Sequence, residues 1–190
     1  MAATLTGRTL EGVEIPEAGT WRIDQSHSLV GFSVRHLMVA KVKGRFGEFS
    51  GAIEIGERPE DSSAEVTITA ASVDTRDARR DEHLRSPDFL DVASHAELSF
   101  RSTGFRRTDA KSFRLPGELT IRGVTRPVAL DVEYEGLTLD PWGNTRAVFS
   151  GSTEIDREEF GLTWNQALET GGVLVGKQVR IELEIEAIRS

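Results

Sequence analysis

The sequence predicts an all-β protein, a closed barrel or a sandwich of about eight strands with one short connector helix. Three observations lead there. Apolar residues recur at every second position along most of the chain, turn-forming residues punctuate those runs, and only one segment has helix-forming composition. A strand with one apolar face must cover it, and with so little helix the sheet closes on itself or folds onto a second sheet.

A short strand is read at "TWRID", followed by "SLVGFSVRH" with Val30, Phe32, Val34 and His36 on one face. "FSGAIEI" aligns Phe49, Gly51, Ile53 and Ile55, and "AEVTITA" aligns Val66, Ile68 and Ala70. After the helical segment come "AELSFRS" (Leu98, Phe100), "FRLPGELTI" (Phe113, Leu115, Leu119, Ile121) and "VALDVEY" (Val128, Leu130, Val132, Tyr134). "AVFSGSTEI" (Ala147, Phe149, Gly151, Ile155) and "VRIELEIEA" (Val179, Ile181, Leu183, Ile185) complete the series. Joins such as "ERPEDSS", "RGVTRP" and "DPWGN" are turn chemistry, and short joins favour antiparallel neighbours. Glycines inside strands, at Gly31, Gly51, Gly117 and Gly151, weaken a strand unless it bends or something approaches its backbone. Coiled barrel strands use them so, which favours a barrel over a sandwich.

The helical segment is "TRDARRDEHLRSPDFL", residues 75–90. Asp74 or Thr75 is its expected N-cap, and Pro87 stops it at Ser86. Leu84 and Phe89 are the apolar residues to hold it over a barrel end. Its i, i+4 charges, Asp77 with Asp81 and Arg76 with Arg80, have like signs, so partners in other segments are implied.

The 190 residues form one domain, residues 20–190, after an N-terminal extension at 1–19. With 31 acidic and 23 basic residues the net charge is −8, a field that repels nucleic acid and anionic membrane surfaces. No stretch is apolar enough to span a bilayer, and "MAATLTGRTLEGVEIPEAG" lacks the apolar core of a secretory signal, so a cytoplasmic protein is expected. The absence of cysteine removes disulfides, thiolate metal sites and a cysteine nucleophile.

Catalytic chemistry finds little support. His27, His36, His83 and His95 stand at no metal-ligand spacing. "DQSHS" offers Asp, Ser and His, but without a nucleophile elbow Asp24 and Ser26 are read as a turn closed on its own backbone. Neither a glycine-rich dinucleotide fingerprint nor a P-loop is present, so no cofactor is expected. What remains is an apolar interior, with Phe32, Phe49, Phe100 and Phe149 on four strands. They either fill a core or line a ligand cavity, and the pattern leaves the two even.

Four ordered blocks decide further. "WRIDQSHSLVGFSVRHLMVAKVKGRFGEFSGAIEI", "SVDTRDARRDEHLRSPDFLDVASHAELSFRS", "GELTIRGVTRPVALDVEY" and "STEIDREEFGLTWN" resemble, in this order, the YceI-like polyisoprenoid-binding family, from about Trp21 to Ala187. The resemblance implies an extended lipocalin-like antiparallel barrel whose apolar tunnel takes up an isoprenoid or similar lipid tail. It implies a homodimer and no catalytic residues. On that footing the expected lining is Phe32, Val34, Phe46, Phe49, Ile53, Ile68, Phe100, Leu119, Leu130, Phe149 and Trp164, with Arg35, His36 and Arg80 at the mouth. The helical block is then a structured connector whose charges lock a loop. Two departures stand out: many relatives carry a signal peptide where this chain has a polar extension, and "SHA" (residues 94–96) replaces the family's Tyr-Pro before the strand at Leu98. Two rivals predict differently. An enzyme acting on a bound lipid or polyketide would aim His36 into the tunnel, and a filled-core stress protein would have no cavity.

Overall fold

The computed structural model describes residues 5–169 and 171–190. A hairpin of β1 (Gly7–Leu10) and β2 (Val13–Pro16) leads into β3 (Gly19–Ile23), β4 (Leu29–His36), β5 (Ala40–Phe46), β6 (Phe49–Ile55), β7 (Ser63–Thr69) and β8 (Val73–Asp74). The helix α1 (Ala78–Arg85) separates these from β9 (Glu97–Ser102), β10 (Arg106–Arg107), β11 (Ser112–Ile121), β12 (Val124–Leu139), β13 (Thr145–Asp156) and β14 (Val175–Arg189).

Pairing runs β13-β12-β11-β9-β7-β6-β3-β14, and β14 pairs back onto β13, which closes an eight-stranded antiparallel barrel. Three positions of the ring are extended by a second strand. β3 and β4 lie end to end along one edge of β14, where Ile23 faces Ala187 and Leu29 faces Glu184. β6 and β7 pair beside β3, while β5 and β8 pair beside β4. β8 is only two residues long, so the barrel is elongated on one side, and α1 follows where β8 ends.

The predicted strands all form. β5 had no counterpart in the sequence reading, nor did the β1–β2 hairpin. The hairpin turns through Glu11 and Gly12, both at positive φ (49° and 83°), as a two-residue turn matched to strand twist requires. The N-cap of α1 is Asp77 rather than Asp74 or Thr75. Asp74 instead accepts the Arg76 N–H, and Arg76 takes positive φ (63°), so the chain turns once more before the helix. Asp77 accepts from the N–H groups of Arg79 and Arg80. At Gly117 a side chain would run into the Phe100 ring and the Arg101 carbonyl, so close approach is the reason for that glycine.

Two buried clusters fill the ends of the barrel wall. One, around Val30, Phe49, Ile68, Val73, Phe100, Leu115 and Phe160, occupies the α1 end; the other gathers Trp21, Tyr134, Ala147, Phe149 and Ala187 near the N-terminal hairpin. Outside the second cluster lies a buried ion network. Arg146 meets Asp24 at 2.6 Å, Asp140 at 3.1 Å and Glu186 at 3.2 Å. Hydrogen bonds from the Ser26 hydroxyl and Arg146 hold the Asp24 carboxyl far below the ordinary carboxylate range. Burial pushes Asp140 upward, but donors on Asn144, Trp142 and Arg146 outweigh it and bring it to about 2.

A candidate lipid-binding cavity

Inward-facing side chains at alternate positions of the strands enclose a cavity of about 340 Å³, within the size of small-ligand pockets. Val30, Phe32 and Val34 of β4 face Val128, Leu130 and Val132 of β12 and their neighbours on β7, β9 and β11. On β14 the wall runs from Val175 to Ile185. At about 3.3 Å per residue and a barrel tilt of about 40°, that is a passage of about 25 Å. The aromatic residues therefore do not fill the barrel.

One end is crossed by the N-terminal hairpin. Leu10, Val13 and Ile15 turn onto the cavity, and the rim is completed by Pro59, Ser62, Arg107, Asp109 and Lys111. The hairpin is fastened on both sides. Arg8 donates to the Glu57 carbonyl at 2.6 Å and to the Gly56 carbonyl, while Arg107 donates to Glu11 at 2.8 Å. Beneath it the Tyr134 hydroxyl is buried without a hydrogen-bond partner among the described residues, and burial, with the nearby Glu14 charge, pushes it up to about 12.

The other end is closed by α1 and the segment after β13. Leu84, Phe89, Leu90, Phe160 and Leu162 form its floor. The charges of residues 75–90 lock this connector in place. Buried Asp81 accepts from the Thr75 N–H (2.8 Å) and hydroxyl (2.6 Å), Arg80 donates to the Thr75 hydroxyl oxygen (2.7 Å) and carbonyl (2.8 Å), and Arg85 donates to the carbonyls of Ala71 and Val73. Arg157, also at this wall, is 4% exposed and spends its guanidinium on the carbonyls of Leu162, Trp164 and Gly176. Burial lowers its pKa below the usual arginine value.

Of the expected lining, Phe32, Val34, Phe46, Ile53, Ile68, Phe100, Leu119, Leu130 and Phe149 stand on the cavity wall. Five named residues stand elsewhere. Phe49 is buried at the start of β6, its N–H held by the Gln25 side chain, and packs in the core off the wall. Trp164 lies on the outer side of Phe89, edge to face with His83 at 4.6 Å. Arg35 points outward because its neighbour Val34 points in. His36 shares the face of Val34 and pairs with Val175 of the cavity wall at the end of β4, without itself lining the cavity; Arg80 is committed to Thr75. The sequence reading missed the hairpin residues and Val175, although Val13 and Ile15 alternate as the other strands do.

No group of three or more metal-ligating side chains occurs among the described residues. His27 uses the same Nδ1 for Asp24 (2.8 Å) and Ser26 (3.1 Å), while the Ser26 hydroxyl donates directly to Asp24 (2.6 Å). That is a closed turn, in which no base is aimed at a free hydroxyl. No helix of the described residues is long and apolar enough to cross a membrane.

The YceI-like domain family matches residues 21–187, nearly the whole barrel. The chain belongs to this family. Among its relatives is a UPF0312 protein of Azotobacter vinelandii, 38% identical over 165 residues that cover 85% of this chain and 86% of the relative. In fold it is similar to Burkholderia cenocepacia BcnA, with a TM-score of 0.74 and 21% identity over 86% of this chain and 98% of that one. It is also similar to a polyisoprenoid-binding domain from Saccharophagus degradans, with a TM-score of 0.68 and 13% identity over 92% of this chain and all of that one.

Proposed function

We propose that this YceI-like protein binds one long apolar lipid tail, of isoprenoid type, inside its barrel, and carries or sequesters it. The observation that carries this reading is the continuous apolar cavity from the hairpin to the floor beneath α1. The polyisoprenoid-binding domain of the same fold supports the choice of an isoprenoid tail. Burying about ten ligand carbons at roughly 0.8 kcal/mol each contributes about 8 kcal/mol, near micromolar affinity before ordering costs. The tail alone supplies the affinity, and the side chains at the rim serve only to orient a head group.

Native mass spectrometry of the purified protein, followed by organic extraction, tests the reading. A co-purifying isoprenoid or a long acyl tail is the expected result. A clean apo mass, together with refusal of added isoprenoid quinones and prenyl phosphates, would overturn it.

A further inference from the structure

Of the five exposed large hydrophobic side chains among the described residues, three are consecutive. Leu37, Met38 and Val39 form the turn between β4 and β5 and are 47%, 59% and 81% exposed. Leu37 and Met38 both have left-handed backbone (φ 51° and 65°), where a turn ordinarily places glycine or asparagine. The tip is nonetheless held: the Leu37 N–H donates to the Leu174 carbonyl at 3.0 Å, the Val39 N–H donates to the His36 carbonyl at 3.2 Å, and Met38 rests on Gly172. A bulky apolar tip is thus presented on a fixed turn.

Its surroundings carry the opposite charge to the chain as a whole. Residues 29–47 contain Arg35, Lys41, Lys43 and Arg45 and no aspartate or glutamate, in a protein of net charge −8. Arg45 pairs with Asp74, and nearby Lys177 pairs with Glu158. Arg35, Lys41 and Lys43 make no ion pair among the described residues; Glu169 lies in the loop alongside, and the surface carrying Lys43 continues away from the tip into one shared with Arg180, Glu182 and Glu184. Screening over about 8 Å at physiological salt lets the charge at the tip, rather than the acidic surface of the rest of the chain, set the encounter.

We propose that this tip docks on a membrane surface containing anionic lipid. Leu37, Met38 and Val39 enter the interface while Arg35, Lys41 and Lys43 meet the head groups. A second copy of the chain fits worse, because two basic tips would oppose each other and three side chains fall far short of the roughly 800 Å² per partner of a stable interface. The proposal stands on the tip alone and does not depend on what the cavity holds, although Val34 and Val175 bring the cavity wall close to it.

Flotation of the full chain with vesicles tests it, using phosphatidylcholine alone and an equal mixture with phosphatidylglycerol. The protein is expected to float with the mixed vesicles, weakly with phosphatidylcholine, and to be released by high salt. Met38→Ser/Val39→Ser should reduce binding about tenfold, and each of Lys41→Gln and Lys43→Gln about fivefold, with melting curves unchanged because all four side chains are exposed. A Val39→Trp reporter should shift its emission to the blue on the mixed vesicles only. Absence of flotation, a tip variant that floats as well as the parent, or tip-dependent self-association in sedimentation without vesicle binding would overturn the proposal. Uptake of a dissolved isoprenoid, measured on the same variants, separates failure of the tip from failure of the cavity.

Discussion

Replacing Arg146 by methionine keeps an unbranched side chain of similar reach and removes the cation from the buried network. The Arg146 side chain is 9% exposed and faces three carboxylates. Asp140 keeps three other donors, the N–H groups of Trp142 and Asn144 and the Asn144 side-chain amide, and Asp24 keeps the Ser26 and His27 contacts. Glu186 is 30% exposed and reaches water. Breaking a buried pair by removing one partner costs about 3–5 kcal/mol, and because these acids retain partners the lower end, about 3 kcal/mol, is expected. For a chain of this size that is a fall in Tm of about 6–12 °C. The acid dependence follows from the sign of the shifts. Asp24 and Asp140 are depressed in the folded state, so their contribution is complete above the unfolded value of about 3.9 and is lost as pH falls through the folded values, about 2 for Asp140 and well below the ordinary carboxylate range for Asp24. Without Arg146 the folded values rise, so parent and variant should converge as pH drops from about 5 toward 2. Urea unfolding at pH 7, 5 and 3.5 measures this. A loss under about 1 kcal/mol at pH 7, or a gap that widens in acid, would refute the reasoning.

Tyr134→Phe removes a buried hydroxyl that has no partner and should raise stability by up to about 1 kcal/mol in urea unfolding; a clear loss would mean the hydroxyl has a partner after all. A homologous series of isoprenoid or acyl ligands should gain about fourfold in affinity per added carbon until the tail spans the passage, as read by calorimetry, and a series flat from the start would contradict burial of the tail along its length. Arg8→Ala/Arg107→Ala unfastens the hairpin at two partly exposed ion pairs, each worth at most about 1 kcal/mol. Ligand release in stopped flow should therefore quicken about fivefold or more while the melting curve moves little; unchanged release would show that the hairpin does not gate that end.

Much of the barrel was legible because a half-buried strand writes its face into every second residue. Eight of the expected lining residues lie on strands read by that rule, and each sits on the cavity wall; the ninth on the wall, Phe46, belongs to β5. β5 escaped notice although "AKVKGRF" alternates, because Gly44 occupies an inward position left small to admit the Phe32 ring. Trp164 lies in a segment without periodicity, so its face could not be read. The partnership of Arg80 and Asp81 with Thr75 depends on an extra turn at Arg76 that local composition does not encode. His36 has the inward face of Val34 and stands at the end of β4 opposite Val175: parity tells which side a residue takes, but not where a cavity ends.

The strand that shuts the barrel is the last one. β14 joins β13, just before it, to β3 and β4, and Ser28 meets Glu186 across 158 positions of chain. Contacts of that span form slowly, and until they do both flanking edges stay unpaired. On the ribosome the apolar wall is accordingly an open trough. On the proposed reading, a lipid tail that entered the trough at that stage would be enclosed by folding itself, without being threaded past the hairpin or the floor.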